Sequence, residues 1–348
     1  MGTAIPLFTG FQIPNSIRLS QLNLDAAIQD LEKARDDIRT QVAKAYVQIL
    51  YDTEMSEMAR RQTVIDSLQV ARLRALLDNG KASQAELSQQ QAALAQSRLT
   101  ATQADNNRRL SLLALSQLLE LPSPEHFDIE RPKLSADSVL LSAGDALPSP
   151  EAIYQEALAF KPEVRAEQLR LQAAGHSVRI AQAGNYPTLT LNAGLQTNHF
   201  KTNGLPAEPF FTQIKNNFAQ YVGLSLNYTL FNRMATRNSI RTARIDLENQ
   251  RLALDNTRKT LYKEIQQVCY NTLAARAKLR SSAAALRSSE DAFALMLAKY
   301  ENGKASVTEY DDAKNKRLKA ESDLVQAHYE YLYQTALLHF YRGRELSL

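Results

Sequence analysis

Two long segments of the 348-residue chain contain almost none of the residues that break or reverse a backbone. Residues 15–121 include no proline and one glycine, Gly80, and residues 224–342 again include no proline and one glycine, Gly303. A β-sandwich or a repeated strand–helix–strand fold needs many tight turns, and such turns depend on glycine and proline. The two segments therefore predict two very long helical stretches, each interrupted once.

An internal repeat relates the two stretches. Shifting the chain by 223 residues superimposes 79–83 on 302–306, both Asn-Gly-Lys-Ala-Ser, and 15–18 on 238–241, both Asn-Ser-Ile-Arg. The same shift places Leu7-Phe8 on Leu230-Phe231 and Glu86 on Glu309. A constant offset means that equal lengths of chain separate the shared segments. We therefore predict that the chain consists of two halves with the same arrangement of helices.

Each half is predicted to be a helical hairpin. A helix over 15–78 turns at 79–80 and returns to about residue 121, and a helix over 232–301 turns at 302–303 and returns to about residue 342. Glycine supplies a left-handed helix end, and a serine followed three residues later by glutamate is a capping box. The first outgoing arm would be about 96 Å long. Apolar residues recur along both arms as in a coiled-coil seam, at Leu24, Ile28, Leu31, Ile38, Val42, Ala45 and Ile49, and at Leu247, Leu254, Leu261, Ile265 and Val268.

The segment between the hairpins changes character twice. Residues 122–150 are rich in proline, serine and aspartate and predict an irregular crossover, followed by helices over 149–160 and 162–184. Apolar residues then alternate with small polar ones from Leu189 to Leu195 and from Val222 to Leu230. This pattern predicts two strands of about ten residues, each with one apolar face. Such strands suit a transmembrane barrel, and a half-buried hairpin in a soluble protein is the alternative.

Composition excludes several classes of function. The mean hydropathy is −0.35 and no run of about 18 apolar residues occurs, so a bundle of membrane helices is excluded. The net charge is +4 without a dense basic stripe, so we expect no nucleic-acid partner. The single cysteine, Cys269, and the scattered histidines offer no metal site, and no catalytic or cofactor-binding motif is present. We therefore expect no enzyme, no cofactor and no metal; a soluble coiled-coil scaffold or tether stays open.

Three groups of residues carry a family resemblance. Residues 161–165 (Lys-Pro-Glu-Val-Arg) open a helix that runs to 185–189 (Asn-Tyr-Pro-Thr-Leu); the second strand ends in Leu230-Phe231; and two Gly-x-x-Ser turns are each followed by an acid. With these, the whole chain resembles the TolC-like outer-membrane efflux proteins. The resemblance implies a mainly α fold with a small β part: coiled-coil hairpins that form a tunnel, and strands of a transmembrane β-barrel closed by a homotrimer.

The same resemblance implies a function. The protein would be a passive exit duct in the outer membrane, in contact with its lipid and extending into the periplasm. An inner-membrane pump would feed it through a periplasmic adaptor protein, in tripartite efflux or type I secretion. The segments are then the end of a barrel strand (1–14), the first coiled-coil hairpin (15–121), a crossover (122–161), a tunnel helix (162–185), two barrel strands with an external loop (186–231), the second coiled-coil hairpin (232–343) and a tail (344–348).

Two sites follow from the resemblance. The hairpin tips would contact the adaptor through Asn79, Gly80, Lys81, Ala82 and Ser83 and through Asn302, Gly303, Lys304, Ala305 and Ser306. The periplasmic aperture would comprise Glu86, Tyr300, Glu309 and Asp312. Ala305 stands where well-studied members have an arginine that latches the mouth shut. Acids repeated three times around a pore would favour cations. Alternatively, glycine and serine only make the turns, Glu86 and Glu309 only cap helices, and Asp312 is solvated.

The repeat also bears on the start of the chain. Before its hairpin, the second half has a helix and two strands, whereas the first half has only a strand end at residues 3–8, and no signal peptide follows Met1. We therefore expect an N-terminally truncated family member, of which three copies bring about nine strands instead of twelve.

Overall fold

A computed structural model describes residues 1–122, 127–131, 148–204, 206 and 208–346. It is mainly helical with one small sheet, which confirms that part of the predicted fold class. The elements are β1 (Gly2–Thr9), α1 (Gln12–Asp78), α2 (Gln84–Leu118), α3 (Pro150–Leu158), α4 (Pro162–Gln182), β2 (Thr188–Gln196), α5 (Phe210–Asn216), β3 (Ala219–Asn227), α6 (Ala235–Glu301) and α7 (Val307–Tyr341), with a 3₁₀ turn at Ala183–Asn185. The chain divides into two compact units, Met1–Lys33 with Lys161–Lys259 and Ala34–Phe160 with Thr260–Leu348.

The four long helices have matching lengths. Both α1 and α6 contain 67 residues, and both α2 and α7 contain 35. Every bound of α6 and α7 lies 223 residues after the corresponding bound of α1 and α2. The predicted start of α1 at residue 15 is three residues late, because Pro14 is tolerated in a first turn whose N–H groups have no helical partner. The predicted start of α6 at residue 232 is three residues early.

The sheet has three antiparallel strands in the order β1–β2–β3. Ile5, Leu191 and Leu224 lie opposite one another across the strands, as do Phe8, Leu189 and Leu226. On the other face, Pro6 lies opposite Thr190 and Ser225, and Ala4 lies opposite Asn192 and Gly223. Directly opposed residues share a face, so one face is apolar and the other is small and polar. The apolar face is uncovered on the outer strands, with Leu224 66% exposed, and the residues of the central strand β2 are mostly partly buried.

The second strand and the loop before it differ from the prediction. The strand β3 ends at Asn227, so Leu230 and Phe231 lie outside it, although Leu7 and Phe8, their equivalents in the repeat, lie in β1. Thr9 and Asn227 both oppose Thr188, and β2 begins there because Pro187 has no N–H to donate. Residues 228–234 therefore connect β3 to α6, whereas only residues 10 and 11 connect β1 to α1. The short helix α5 lies where the sequence predicted a polar loop.

Within the chain, the predicted coiled-coil seam is buried along α6 from Leu254 and exposed along the first part of α1. Leu254, Leu261 and Ile265 are buried, but Leu24 is 62% exposed. Ile28, Leu31 and Ile38 are exposed as well, and α1 becomes buried along this row only from Ile49. The periodic pattern identified the helix, but burial depends on which neighbours cover it.

Half of the predicted crossover over 122–161 lies outside the described residues, which resume at 127–131 and again at residue 148. Tyr46 of α1 donates its hydroxyl to the carbonyl oxygen of Glu130 at 2.7 Å, and Arg131 pairs with Glu57 at 2.5 Å. Among the helices that the structure describes, none combines the length and apolarity needed to cross a membrane.

The two strand-to-helix junctions differ in backbone strain, and this difference can be tested. Gly10 has φ +61°, and a Cβ there would lie 2.7 Å from the carbonyl oxygen of Ala183. Arg233, at the equivalent place before α6, adopts φ +53° despite its side chain. We expect Gly10→Ala to lower the free energy of unfolding by about 2 kcal/mol or more, and Arg233→Gly to raise it by up to about 1 kcal/mol. Urea unfolding followed by circular dichroism measures both; equal effects would contradict the assignment of strain.

Candidate functional site

The two hairpin tips reverse the chain by the same hydrogen bonds. Gly80 donates its N–H to the carbonyl of Leu77, and Lys81 donates to the carbonyl of Leu76, both at 2.8 Å. At the other tip, Gly303 donates to Tyr300 at 3.0 Å and Lys304 donates to Lys299 at 2.8 Å. The two glycines have φ +70° and +69°, so each outgoing helix ends in a Schellman motif that needs a left-handed residue.

Each returning helix begins with a capping box. The Glu86 carboxylate accepts the N–H of Ser83 at 2.7 Å, and the Ser83 hydroxyl accepts the N–H of Glu86 at 3.2 Å. Ser306 and Glu309 repeat the arrangement at 2.8 and 3.3 Å. These reciprocal bonds satisfy N–H groups that have no partner within the helix. Helix capping therefore accounts for the geometry of both glutamates.

The capping bonds also affect ionisation at the second tip. The backbone N–H of Ser306, and next its hydroxyl, hold the pKa of Glu309 below the usual value for glutamate. A carboxyl group whose folded pKa is lowered stabilises the fold above its unfolded pKa, and this contribution is lost as the pH falls through the folded pKa. Glu309 therefore stays ionised at neutral pH.

The remaining tip residues divide into two groups. The amide groups of Asn79 and Asn302 donate to the carbonyl oxygens of Ala75 and Ala298, both at 2.7 Å, and so belong to the turn. Lys81 and Lys304 are exposed, whereas Ala82 and Ala305 are partly buried. Neither turn motif requires a lysine at these positions. The lysines are thus the tip side chains that are free to meet another molecule.

The structure brings only some of the aperture residues together. Tyr300 stacks on Tyr310 with ring centroids 4.9 Å apart. Burial raises the pKa of Tyr300, while a hydrogen bond with Gln69 lowers it and the nearby charge of Glu86 raises it further. Tyr300 and Glu86 therefore lie close to each other. Asp312 is exposed and pairs with Lys316 at 2.7 Å, as in the solvated alternative.

Sequence reasoning missed a buried ionic cluster beside these residues. The Lys314 ammonium lies 3.1 Å from Asp66 of α1 and 3.1 Å from Asp311 of its own helix, and the Lys314 and Asp66 side chains are almost wholly buried. Burial alone would lower the pKa of Lys314, but the charges of Asp311 and Asp66 outweigh it, and the pKa lies above its usual value. The spacing of Asp311 and Lys314 is visible in the sequence; nothing there connects Lys314 to Asp66.

Other contacts in this region also join the two hairpins. Arg72, in the last turns of α1, lies 3.4 Å from Glu301 at the end of α6. Gln89 of α2 donates to Asp311 of α7 at 3.4 Å. The three side chains of the ionic cluster also line a cavity of about 420 Å³. Within the part of the chain that the structure describes, no three acidic, histidine or cysteine side chains cluster as a metal site would require.

Paired hairpins of equal length, joined to a small sheet with an uncovered apolar face, define a fold shared with solved outer-membrane channels. The outer membrane protein VceC of Vibrio cholerae superimposes with a TM-score of 0.82 at 19% identity, over 99% of this chain and 79% of VceC. CusC superimposes with a TM-score of 0.84 at 15% identity, over 99% of this chain and 77% of CusC. At these identities the likeness establishes the fold alone.

Sequence comparison establishes the family. A model of the outer membrane efflux proteins matches residues 1–120 and 153–344, and the chain belongs to this family of outer-membrane proteins. Protein CyaE of Bordetella pertussis is 28% identical over 348 residues, 96% of this chain and 65% of CyaE. BepC, an outer membrane efflux protein of Brucella suis, is 22% identical over 93% of this chain and 67% of its own length. The chain thus spans about two thirds of these relatives.

The buried cluster predicts a large difference between two lysines of one helix. Lys314→Met leaves Asp66 and Asp311 without their ammonium partner, and we expect the free energy of unfolding to fall by about 3 kcal/mol. Lys316→Met removes an exposed pair two residues away and should change it by less than about 0.5 kcal/mol. Adding Asp66→Leu to Lys314→Met should recover part of the loss. Urea unfolding of the purified protein measures all three, and similar effects of the two lysines would contradict the prediction.

Proposed function

We propose that the protein is the outer-membrane channel component of a tripartite efflux or type I secretion system. Three copies close one β-barrel in the outer membrane, and their helical hairpins form a tunnel in the periplasm. An inner-membrane pump delivers the substrate through a periplasmic adaptor, and the channel is a passive duct that carries out no reaction. Membership of the efflux family favours this function over a soluble coiled-coil scaffold.

The uncovered apolar face of the sheet carries the proposal. Its strands have eight or nine residues, about the length that a tilted transmembrane strand needs. Aromatic residues lie beyond both ends of this face: Phe11 and Tyr186, with ring centroids 6.2 Å apart, at one end, and Phe218 at the other. An apolar band between aromatic belts, with small polar residues on the opposite face, is typical of a barrel with lipid outside and water inside.

The free edges of the sheet support a homotrimer. Among the described residues, the strands β1 and β3 each pair on one side only, and lipid cannot satisfy the unpaired backbone groups of an open edge. Strands from further copies of the protein would satisfy them. The exposed apolar row of α1, at Leu24, Ile28, Leu31 and Ile38, supports assembly independently, because a water-facing helix gains nothing from such a row.

The tips support adaptor binding. Both present the same five residues, and turn geometry accounts for the asparagine, the glycine and the serine but not for Lys81 and Lys304. Contacts between the hairpins next to the tips support an aperture in which Glu86, Tyr300, Glu309 and Asp312 surround the periplasmic mouth. Glu86 and Glu309 would then act both as helix caps and as pore-lining charges.

The membrane assignment predicts opposite outcomes at neighbouring positions of one strand. Leu224→Arg places a charge on the apolar face and should disfavour membrane insertion by about 2–4 kcal/mol, so that most of the protein is lost from the outer-membrane fraction. Ser225→Arg places the same charge on the polar face and should leave the amount in that fraction nearly unchanged. Density-gradient fractionation and the mass of the detergent-extracted assembly measure insertion and trimer formation. Equal tolerance of the two arginines would contradict a lipid-facing side.

The adaptor assignment can be tested by cross-linking from the tips. Cys269 is the single cysteine and is buried, so Cys269→Ala gives a background without reactive thiols. We expect Lys81→Cys and Lys304→Cys, with a bifunctional thiol–amine reagent, each to capture a periplasmic adaptor identified by mass spectrometry. Thr102→Cys is the control. Thr102 is exposed on α2, the helix that follows Lys81, about 28 Å from the turn. Equal capture at Thr102→Cys, or none at the tips, would contradict tip binding.

A further inference from the structure

Side-chain hydrogen bonds join described residues on the two sides of the loop between β2 and β3, residues 197–218. Thr197 donates its hydroxyl to the carbonyl of Ile214 at 2.7 Å, and Asn217 donates its amide to the carbonyl of Asn198 at 2.8 Å. The buried Gln213 donates to the carbonyl of Glu208 at 2.7 Å and accepts the N–H of Phe200 at 3.1 Å. The orientation of α5 is thereby fixed relative to both sides of the loop.

The described residues of this loop present aromatic side chains outward. Four of the eleven phenylalanines of the chain lie in it, at Phe200, Phe210, Phe211 and Phe218, and all four are exposed. Phe211 is 82% exposed, and its ring meets that of Phe210 edge to face at 5.4 Å. The adjoining rings of Phe210 and Phe211 form an exposed apolar patch, and such a patch marks a surface that lipid or another molecule covers.

The position and charge of the loop identify what covers it. The last row of the sheet on its apolar side pairs Leu195 with Gln220, and the next row, which pairs Gln196 with Ala219, ends the sheet. The loop begins at the following residue, Thr197. The apolar band therefore ends where the loop starts, at the depth where aromatic rings are favoured between acyl chains and headgroups. Two exposed lysines, Lys201 and Lys215, and a single acid, Glu208, give the loop a positive balance that suits phosphate groups.

We propose that the loop helix α5 is a membrane-surface anchor, with Phe210 and Phe211 in the headgroup–acyl boundary of an anionic lipid leaflet and Lys201 and Lys215 beside its phosphates. The anchor rests on the proposed contact between the sheet and lipid, and it adds a second lipid site outside the barrel wall. The anchor would determine how deeply the end of the barrel next to this loop lies in the membrane.

The absence of tryptophan from the chain makes the test specific. We would place Phe211→Trp and, separately, Leu224→Trp in the full chain, reconstituted in vesicles of phosphatidylcholine and phosphatidylglycerol. Some vesicles carry bromine near the carbonyl end of the acyl chains, and others carry it near the bilayer centre. We expect the tryptophan at residue 211 to lose about half of its emission or more with the shallow bromine and little with the deep one. The tryptophan at residue 224 should respond mainly to the deep bromine.

The two tryptophans separate the possible failures. If neither responds to bromine, the proposed membrane function fails. If residue 224 responds and residue 211 stays open to the aqueous quencher acrylamide, the anchor is overturned and the barrel stands. Residue 211 shielded from both quenchers would place the loop against other copies of the chain and would also overturn the anchor. Adding Lys201→Gln and Lys215→Gln should weaken the shallow quenching in anionic vesicles and not in purely zwitterionic ones; no change would overturn the role of the lysines.

Discussion

Everything in the two hairpins depends on reversing the chain within five residues at each tip. A 67-residue helix cannot bury its apolar side chains alone, and the reversal supplies the antiparallel partner that it needs. The glycine allows the left-handed turn, and the serine–glutamate pair satisfies the N–H groups at the start of the returning helix. Because both tips use the same bonds, each returning helix starts in the same orientation relative to its own outgoing helix.

A seam between long helices then needs something that prevents sliding. Small side chains such as Ala275 and Ala327, which pack with Leu279 and Tyr331, would tolerate a shift along the helix axis. The Lys314–Asp66 pair would not, because a shift of one turn, about 5.4 Å, separates two buried charges. The pair therefore opposes a change of register between α1 and α7, whereas a well-packed apolar pair of comparable stability would not.

How far the sequence predicts this structure depends on the range of the interactions. The hairpin bounds were predictable within about three residues, since capping and left-handed turns are local and leave signatures such as Gly80 and Ser83. The two faces of the sheet followed from alternation for the same reason. The end of β3 at Asn227 did not, because it is set by Pro187, which precedes the neighbouring strand β2. The partner of Lys314 lies 248 residues away, and no local pattern encodes such a contact.

Leu31 and Leu254 show most directly why burial was the least predictable property. They are equivalent in the repeat and lie on helices of equal length, yet Leu31 is exposed and Leu254 is buried. The helix α4 meets both long helices, since Glu167 bonds Gln250 of α6 and Arg170 pairs with Asp30 of α1, so a neighbouring helix in the same chain does not by itself decide burial. Two kinds of uncovered apolar surface therefore remain. In the proposed assembly, helices of other copies cover the row of α1, whereas strands satisfy the open edges of the sheet and lipid covers its apolar face.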